Sequence, residues 1–173
     1  AEKSDREKAE AVMDRMVESR VVPDVFVFTA LMKLYVKLGD LCGAEGVLEQ
    51  MDRYDVSPDV VTFNSMIKLY VDHQDEIGAE QMLKRMRSLE IDPDVTTFTT
   101  LMDLYASTGD AQGARGVLRR MKEHNVKPGE LTFVTMMKLY KGSDIDVDSL
   151  LDRMARHKVK PGYMTFSTLL RLC

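Results

Sequence analysis

The sequence predicts an all-α solenoid of helix-turn-helix repeats of about 35 residues, because several independent markers recur with one period. The dipeptide Leu-Tyr occurs four times at intervals of 35 residues. Prolines, methionines and Gly-Ala dipeptides follow the same spacing, apart from a final interval of 33 residues. The markers are Leu34-Tyr35, Leu69-Tyr70, Leu104-Tyr105 and Leu139-Tyr140; Pro23, Pro58, Pro93, Pro128 and Pro161; Met16, Met51, Met86, Met121 and Met154; and Gly43-Ala44, Gly78-Ala79 and Gly113-Ala114.

These markers divide the chain into units. Three complete units span residues 25–59, 60–94 and 95–129, and a shorter unit spans residues 130–162. Residues 1–24 carry the second helix of a truncated unit, roughly Asp5 to Ser19, and residues 163–173 carry the first helix of a final partial unit. Because a single hairpin cannot bury its apolar faces alone, we expect one array of 1–173 with a continuous core.

The unit 60–94 shows how each repeat should fold. Apolar Phe63, Met66, Ile67 and Tyr70 lie at i, i+3, i+4 and i+7, which is one stripe of an amphipathic first helix. Asp75 is placed to cap the second helix, and Pro93 disfavours helix at the residues before it. The second helix is expected to bury Ile77, Ala79, Met82, Leu83 and Met86.

Composition bounds the possible functions. The apolar fraction is 45% and the net charge is −4, which argues mildly against binding to phosphates. The sequence contains no run of about 18 apolar residues, so we do not expect a membrane as a partner. No signal or transit peptide is visible, and a start at Ala1 suggests that any such segment has been trimmed.

The reactive side chains form no catalytic or metal-binding pattern. Cys42 and Cys173 have no ligand spacing and are expected to be buried or terminal. The histidines share no repeat position and are expected to face solvent, and the acidic run should cap and solvate the last second helix. These residues are His73, His124 and His157, and Asp144, Asp146 and Asp148. We therefore predict no catalytic residue, no metal and no cofactor; the chain is not expected to be an enzyme.

The repeat resembles a known one. The segment PDVVTFNSMIKLYVDHQDEIGAEQMLKRMRSLEIDPD is similar to the pentatricopeptide repeat consensus, with Pro-Asp, Val-Thr-aromatic-Asn and a Gly/Ala-bearing second helix that ends at methionine. The segments PDVFVFTALMKLYVKLGDLCGAEGVLEQM and PDVTTFTTLMDLYASTGDAQGARGVLRRM resemble it equally well, whereas the tetratricopeptide unit of about 34 residues fits less well. The resemblance covers essentially the whole chain. It implies a right-handed superhelix whose first helices line a groove for single-stranded RNA, one base per repeat, with the RNA 5′ end at the early repeats.

The resemblance also implies which residues read the bases. In this family the fifth residue of a repeat and its last residue contact the base edge. A Thr/Asp pair favours G, an Asn/Asp pair favours U, and the other two pairs should discriminate poorly, so the implied target is GU followed by two poorly specified bases. The pairs are Thr29 with Asp59, Asn64 with Asp94, Thr99 with Gly129, and Val134 with Gly162. Asp24, Asp59 and Asp94 also fit as helix N-caps, which is compatible with reading.

Two further sets complete the implied site. Second-position side chains should stack on the bases, and basic side chains four residues after the reading position, with Lys37, should meet phosphates. The stacking set is Phe26, Val61, Thr96, Leu131 and Met164. The phosphate set is Lys33, Lys37, Lys68, Lys138 and Arg171, while Asp103 interrupts the stripe.

The resulting hypothesis is an organellar protein, chloroplast ahead of mitochondrion, that binds single-stranded RNA and assists processing such as intron splicing. A protein partner or homodimer would lengthen its short footprint. Two alternatives stay open. The groove could hold a peptide, making the chain a protein-interaction scaffold, which the acidic charge favours. The chain could also be the recognition module of a longer enzyme, such as a nuclease or an editing protein.

Overall fold

The computed structural model of the protein describes residues 2–140 and 147–172. Helices account for all the regular structure in these ranges. They are α1 (Glu2–Glu18), α2 (Val25–Leu38), α3 (Leu41–Arg53), α4 (Val60–Asp72), α5 (Glu76–Ser88), α6 (Val95–Thr108), α7 (Ala111–Glu123), α8 (Glu130–Met137), α9 (Val147–Arg156) and α10 (Tyr163–Leu172). A short 3-10 helix, Lys138–Tyr140, continues α8. The protein is thus an all-α helical-repeat solenoid, as the sequence predicts.

Two compact units make up the chain, and they divide between Ile91 and Asp92. The first unit holds α1 to α5, and the second holds α6 to α10. In the first unit α2 packs against both α3 and α4; in the second, α6 packs against both α7 and α8, and α8 packs against α10. First helices of consecutive repeats therefore lie side by side within each unit.

One phenylalanine per repeat forms the centre of the core. Phe28, Phe63, Phe98 and Phe133 are fully buried, and each lies in the first helix of its repeat. The second helix contributes the periodic methionine, which is fully buried at Met51, Met86, Met121 and Met154. Burying a side chain of this size contributes about 1.5 to 3 kcal/mol, so the same four pairs of residues account for much of the driving force.

Aspartates cap both helices of each complete repeat. Asp24, Asp59 and Asp94 precede the first helices, and Asp40, Asp75 and Asp110 precede the second helices. Each carboxylate accepts a hydrogen bond from a backbone N–H of the first turn, at 2.8 to 3.0 Å. The predicted N-caps are confirmed.

The periodic glycine and the periodic tyrosine contact each other within each repeat. A Cβ on Gly43 would stand 2.4 Å from the Tyr35 ring, and a Cβ on Gly78 or Gly113 would stand 2.2 Å from the ring of Tyr70 or Tyr105. Such distances are far inside van der Waals contact. Glycine at this place lets the second helix approach the tyrosine of the first helix, which explains why the two markers recur together.

The tyrosine hydroxyl also joins neighbouring repeats. Tyr70 Oη donates a 2.6 Å hydrogen bond to Glu45 Oε1 on α3 of the preceding repeat. Burial of the Tyr70 ring, together with this bond to Glu45, raises the pKa of Tyr70 well above its usual range. Only the protonated tyrosine can donate the bond, so the contact requires neutral Tyr70.

This pKa shift predicts alkaline sensitivity. Unfolded tyrosine titrates near pH 10, whereas folded Tyr70 keeps its proton to a higher pH, so the stabilising contribution is complete below about pH 10 and falls as the pH rises further. We expect urea denaturation to show a loss of less than about 1.4 kcal/mol per pH unit from this group, because its partner Glu45 is exposed to solvent. Tyr70→Phe should lose stability more slowly between about pH 10 and pH 11 than the wild type. Equal slopes for the two proteins would contradict the assignment.

Two apolar expectations are wrong for a shared reason. Ile77 is 73% exposed and Cys42 is also exposed, although both were expected to be buried. Both are the second residue of a second helix, and Gln112 at the same place in α7 is exposed too. The following glycine faces the tyrosine ring, so this position faces outward. Cys173 lies outside the described residues.

The histidine expectation holds only in part, because His73 and His157 are exposed as expected, whereas His124 is half-buried. His124 and His157 directly follow the second helices α7 and α9, so they do share a repeat position. Their rings pack on the core phenylalanines Phe98 and Phe133, with centroids 5.6 and 5.5 Å apart. His157 is exposed and His124 is half-buried, and each ring covers the core phenylalanine of its repeat. The sequence analysis missed this shared position because the last interval between repeats is 33 residues and not 35.

The described residues include only part of the acidic run near the last second helix. Asp144 and Asp146 lie outside the described residues, and Asp148 is an exposed residue in the first turn of α9. At the other end of the chain, α1 begins at Glu2 and ends at Glu18, close to the predicted span.

Candidate nucleic-acid interface

The second-position side chains of the first helices are exposed. Phe26 is 79% exposed, and Val61, Leu131 and Met164 are between 43% and 51% exposed. Thr96 is exposed as well. Phe26, Val61, Thr96 and Leu131 each lie two residues before a buried phenylalanine, so they occupy the opposite face of the same helices. Phe166, two residues after Met164, is itself exposed. On each first helix the second position is therefore exposed to solvent and is not packed in the core.

The fifth-position residues, which are predicted to read the bases, are half-buried and lie three residues after the exposed second-position residues. Thr29, Asn64, Thr99 and Val134 all have intermediate exposure. Spacing of three places them on the same face as the second-position residues. The first helices pack side by side within each unit, and Thr99 on α6 contacts Thr132 on the next first helix, α8.

The carboxylates at the repeat ends are held in fixed positions. Asp59 Oδ1 accepts hydrogen bonds from the backbone N–H and from the hydroxyl of Thr62, both at 2.8 Å. Asp94 Oδ1 makes the same two bonds with Thr97, at 2.8 and 3.1 Å. Capping thus orients the carboxylate that the family resemblance assigns to base reading, so the two roles are compatible in the first unit and in the second.

The third pair lacks a carboxylate. Gly129 is the N-cap of α8 and its backbone N–H donates to Thr132 Oγ1 at 3.3 Å. The same Thr132 hydroxyl lies 3.2 Å from the hydroxyl of Thr99. Thr99 therefore shares a hydrogen bond with a fully buried threonine of the next repeat.

The fourth pair has a carboxylate beside it that belongs to neither of its residues. Val134 and Gly162 carry no hydrogen-bonding side chain, yet a carboxylate is present, because Glu130 reaches across from the start of α8. Glu130 Oε1 accepts bonds from the backbone N–H of Gly162, and from the backbone N–H and hydroxyl of Thr165, each at 2.9 Å. These bonds, foremost the one from the Thr165 backbone, hold the pKa of Glu130 below its usual range.

Sequence reasoning missed Glu130 although a signal existed. The first residue of the other complete repeats is valine, at Val25, Val60 and Val95. The repeat that begins with Glu130 ends in Gly162. The Glu130 carboxylate occupies the space where a side chain of Gly162 would lie.

The basic stripe is partly neutralised. The Lys68 ammonium pairs with Asp72 one turn later on α4, and the Lys138 ammonium pairs with Asp103 of the preceding repeat. Arg171 Nε donates to the backbone oxygen of Ser167 at 3.3 Å. In the part of the chain that the structure describes, no acidic side chain pairs with Lys33 or Lys37, and both are exposed. Among the described residues, acidic side chains therefore neutralise Lys68 and Lys138, whereas they do not neutralise Lys33, Lys37 or Arg171.

Neither a metal-binding cluster nor a membrane-spanning helix is found in the part of the chain that the structure describes. Within residues 2–140 and 147–172, histidine, cysteine and acidic side chains form no group of three that could hold a metal ion. In the same ranges each helix is too short or too polar to cross a membrane.

Paired helices repeating along the chain, with a polar and apolar stripe on each first helix, define an α-helical repeat protein. A family model described as the pentacotripeptide-repeat region of PRORP matches residues 44–171, and one described as the pentatricopeptide repeat domain matches residues 1–38 and 11–73. The chain belongs to the pentatricopeptide repeat family. No curated protein shows a significant match over the sequence.

Solved structures share the fold. PPR10 from maize is 24% identical, with a TM-score of 0.80, over 94% of this chain and 24% of its own. PPR10 in complex with an 18-nt psaJ RNA element is 23% identical with a TM-score of 0.77, over the same shares of the two chains. The PPR domain of Arabidopsis thaliana PRORP1 in complex with tRNA is 22% identical, with a TM-score of 0.75, over 98% of this chain and 91% of its own. Nuclear PRORP2 of A. thaliana is 15% identical, with a TM-score of 0.75, over 98% and 39%. This chain therefore spans about a quarter of the length of PPR10.

Proposed function

We propose that the protein binds single-stranded RNA along the stripe of its first helices. The observation that carries this proposal is the repeated arrangement of an exposed second-position side chain beside a half-buried polar reading position, as at Phe26 and Thr29. A base can stack on the first and present its edge to the second, and stacking on an aromatic platform contributes about 1 to 3 kcal/mol per base. PPR10 and PRORP1, which share the fold, have been crystallised with RNA.

The proposed sequence preference follows the family scheme. Thr29 with Asp59 selects G, and Asn64 with Asp94 selects U. The third base is poorly specified, because Gly129 has no side chain and the Thr99 hydroxyl is shared with Thr132. Phosphates contact Lys33 and Lys37 first, since Lys68 and Lys138 already have acidic partners. Arg171 keeps its positive charge, because its partner is a backbone oxygen.

A second part of the proposal concerns the role of the protein in the cell. We infer an RNA-binding, non-catalytic factor that assists transcript processing, with intron splicing as the process and an organelle, chloroplast ahead of mitochondrion, as the place. Family resemblance supports this location, whereas the similar PRORP2 is nuclear. Fluorescence microscopy of the tagged full-length protein in plant cells separates the three compartments.

A protein-interaction scaffold is the second candidate. The observation that favours it is charge: the net charge is −4, and Lys68 and Lys138 are paired with Asp72 and Asp103. A homodimer or a protein partner would fit this candidate and would also extend a short RNA footprint. The recognition module of a longer nuclease or editing enzyme is compatible with RNA binding.

Equilibrium binding to labelled RNA tests the proposal. Single-stranded RNA that contains GU should bind more tightly than the same sequence as a duplex, with an affinity that falls as salt rises. The slope of log K against log salt should correspond to no more than about four phosphate contacts. Failure to bind any single-stranded RNA at low salt would rule out the proposal and favour the scaffold.

Neutralising Asp103 should strengthen RNA binding. Asp103→Asn releases the Lys138 ammonium from its ion pair, so one more positive charge faces the phosphates. We expect about a two- to fivefold gain in affinity and a salt slope steeper by up to about 0.7. Asp52→Asn is the matched control, because it breaks the ion pair with Arg85 between two second helices, α3 and α5. An equal gain in both variants would show a bulk charge effect instead.

A further inference from the structure

Glu130 makes the bonds that a repeat-ending aspartate makes elsewhere. In the first unit Asp59 Oδ1 accepts from the backbone N–H and hydroxyl of Thr62. In the second unit Glu130 Oε1 accepts from the backbone N–H and hydroxyl of Thr165. Thr165 is the equivalent threonine in the last helix, α10. The donors, their order along the helix and the distances, 2.8 to 2.9 Å, correspond. A carboxylate thus lies beside Gly162 although the residue itself has none.

The glycine makes room for this carboxylate. A Cβ on Gly162 would stand 2.7 Å from Glu130 Oε2 and 2.9 Å from Oε1, so the glutamate occupies the space of the missing side chain. Around Gly129, by contrast, nothing lies within 4 Å of a Cβ, and the residue equivalent to Glu130 is Val95. Both repeats end in glycine, but only the fourth has a carboxylate supplied from another position.

We propose that Glu130 is the base-reading carboxylate of the fourth repeat and that it gives this repeat a preference for guanine. This inference rests on the proposed RNA binding. It replaces the expectation that the Val134 and Gly162 pair is indifferent to the base.

The chemistry of the bases selects guanine. An ionised carboxylate only accepts hydrogen bonds. Glu130 Oε1 already accepts three, from Gly162 and Thr165, so Oε2 is the oxygen that accepts from a base. The Watson–Crick edge of guanine presents two adjacent donors, N1–H and N2–H, whereas uracil presents one donor between two carbonyls, which the carboxylate repels. Val134 offers no hydrogen bond that would compensate another base. The hydrogen bonds from Thr165 keep the carboxylate ionised near neutral pH.

The test uses four RNAs that carry GU at the first two positions and differ only in the fourth base. Wild type should bind the RNA with guanine there about fivefold or more tightly than the others. Glu130→Gln and Glu130→Val should bind all four alike while they keep their preference for GU at the first two positions.

Two rebuilt variants keep the test independent of a folding defect. Glu130→Val with Gly162→Asp restores the regular repeat ending, and should bring back discrimination at the fourth base. Val95→Glu places a glutamate at the exposed first position of the repeat that ends in Gly129. This variant should gain a guanine preference at the third base. Thermal denaturation confirms which variants are folded at the temperature of the assay.

The outcomes separate the two claims. A wild-type protein that binds none of the RNAs contradicts the proposed function itself. A wild-type protein that prefers GU at the first two positions but binds the four fourth-position RNAs equally overturns the role of Glu130. The same holds if Glu130→Val, shown to be folded, keeps the guanine preference.

Discussion

Gly113→Ala should lower the free energy of unfolding by about 1 to 3 kcal/mol, although alanine is the better helix former. The added Cβ would stand 2.2 Å from Tyr105 Cδ1 and 2.5 Å from Asp110 Oδ2. The tyrosine ring is nearly buried, and Asp110 is the N-cap of α7, so neither can move without loss of packing or of the cap. The strain therefore exceeds the gain in helix propensity of about 1 kcal/mol.

The same helix contains the control. Nothing lies within 4 Å of a Cβ on Gly116, three residues later in α7. Gly116→Ala should raise the free energy of unfolding by about 0.5 to 1 kcal/mol through helix propensity alone. Urea denaturation of both variants measures the difference. Gly43→Ala and Gly46→Ala repeat the comparison in α3, and a shift in the same direction for both members of either pair would contradict the glycine-tyrosine contact.

Reversing the two unpaired lysines of α2 should weaken RNA binding by about tenfold or more. In Lys33→Glu with Lys37→Glu, two charges that would attract phosphates become two that repel them. The salt slope should flatten by at least about 1.4, since each lost contact with a single strand accounts for about 0.7. The wild-type residues are exposed, so the fold should survive the change, which circular dichroism checks.

A matched variant distinguishes position from net charge. Lys84→Glu with Lys122→Glu changes the charge equally, but on the exposed faces of second helices α5 and α7. Its affinity for RNA should fall by no more than about two- to threefold. Equal losses in the two variants would mean that the first helices do not form the binding face.

Much of the fold was predictable because the repeat signals are local. Pro-Asp marks the capped start of each first helix, and the apolar spacing of Phe63, Met66, Ile67 and Tyr70 marks its buried face. The outward position of Ile77 was not predictable from apolarity alone. It depends on the neighbouring Gly78, which turns toward the Tyr70 ring.

The helix position of each candidate residue follows from the sequence, whereas its hydrogen-bond and ion-pair partners do not. The spacing puts the proposed reading and stacking residues on one face of each first helix, since the helix period fixes which residues share a face. Pairing of Lys138 with Asp103 and of Glu130 with Thr165 joins residues 35 positions apart. Such contacts depend on how consecutive repeats stack, which no local pattern encodes.

The most direct measurement of the central claim exchanges two reading residues. In Thr29→Asn with Asn64→Thr, the composition and charge of the protein stay the same, and only the order of the two side chains changes. Wild type should bind RNA with GU at the first two positions about fivefold or more tightly than RNA with UG. The exchanged variant should show the reverse preference by a similar factor. A variant that still prefers GU, or two proteins that bind both RNAs equally, would contradict the claim that the first helices read one base per repeat.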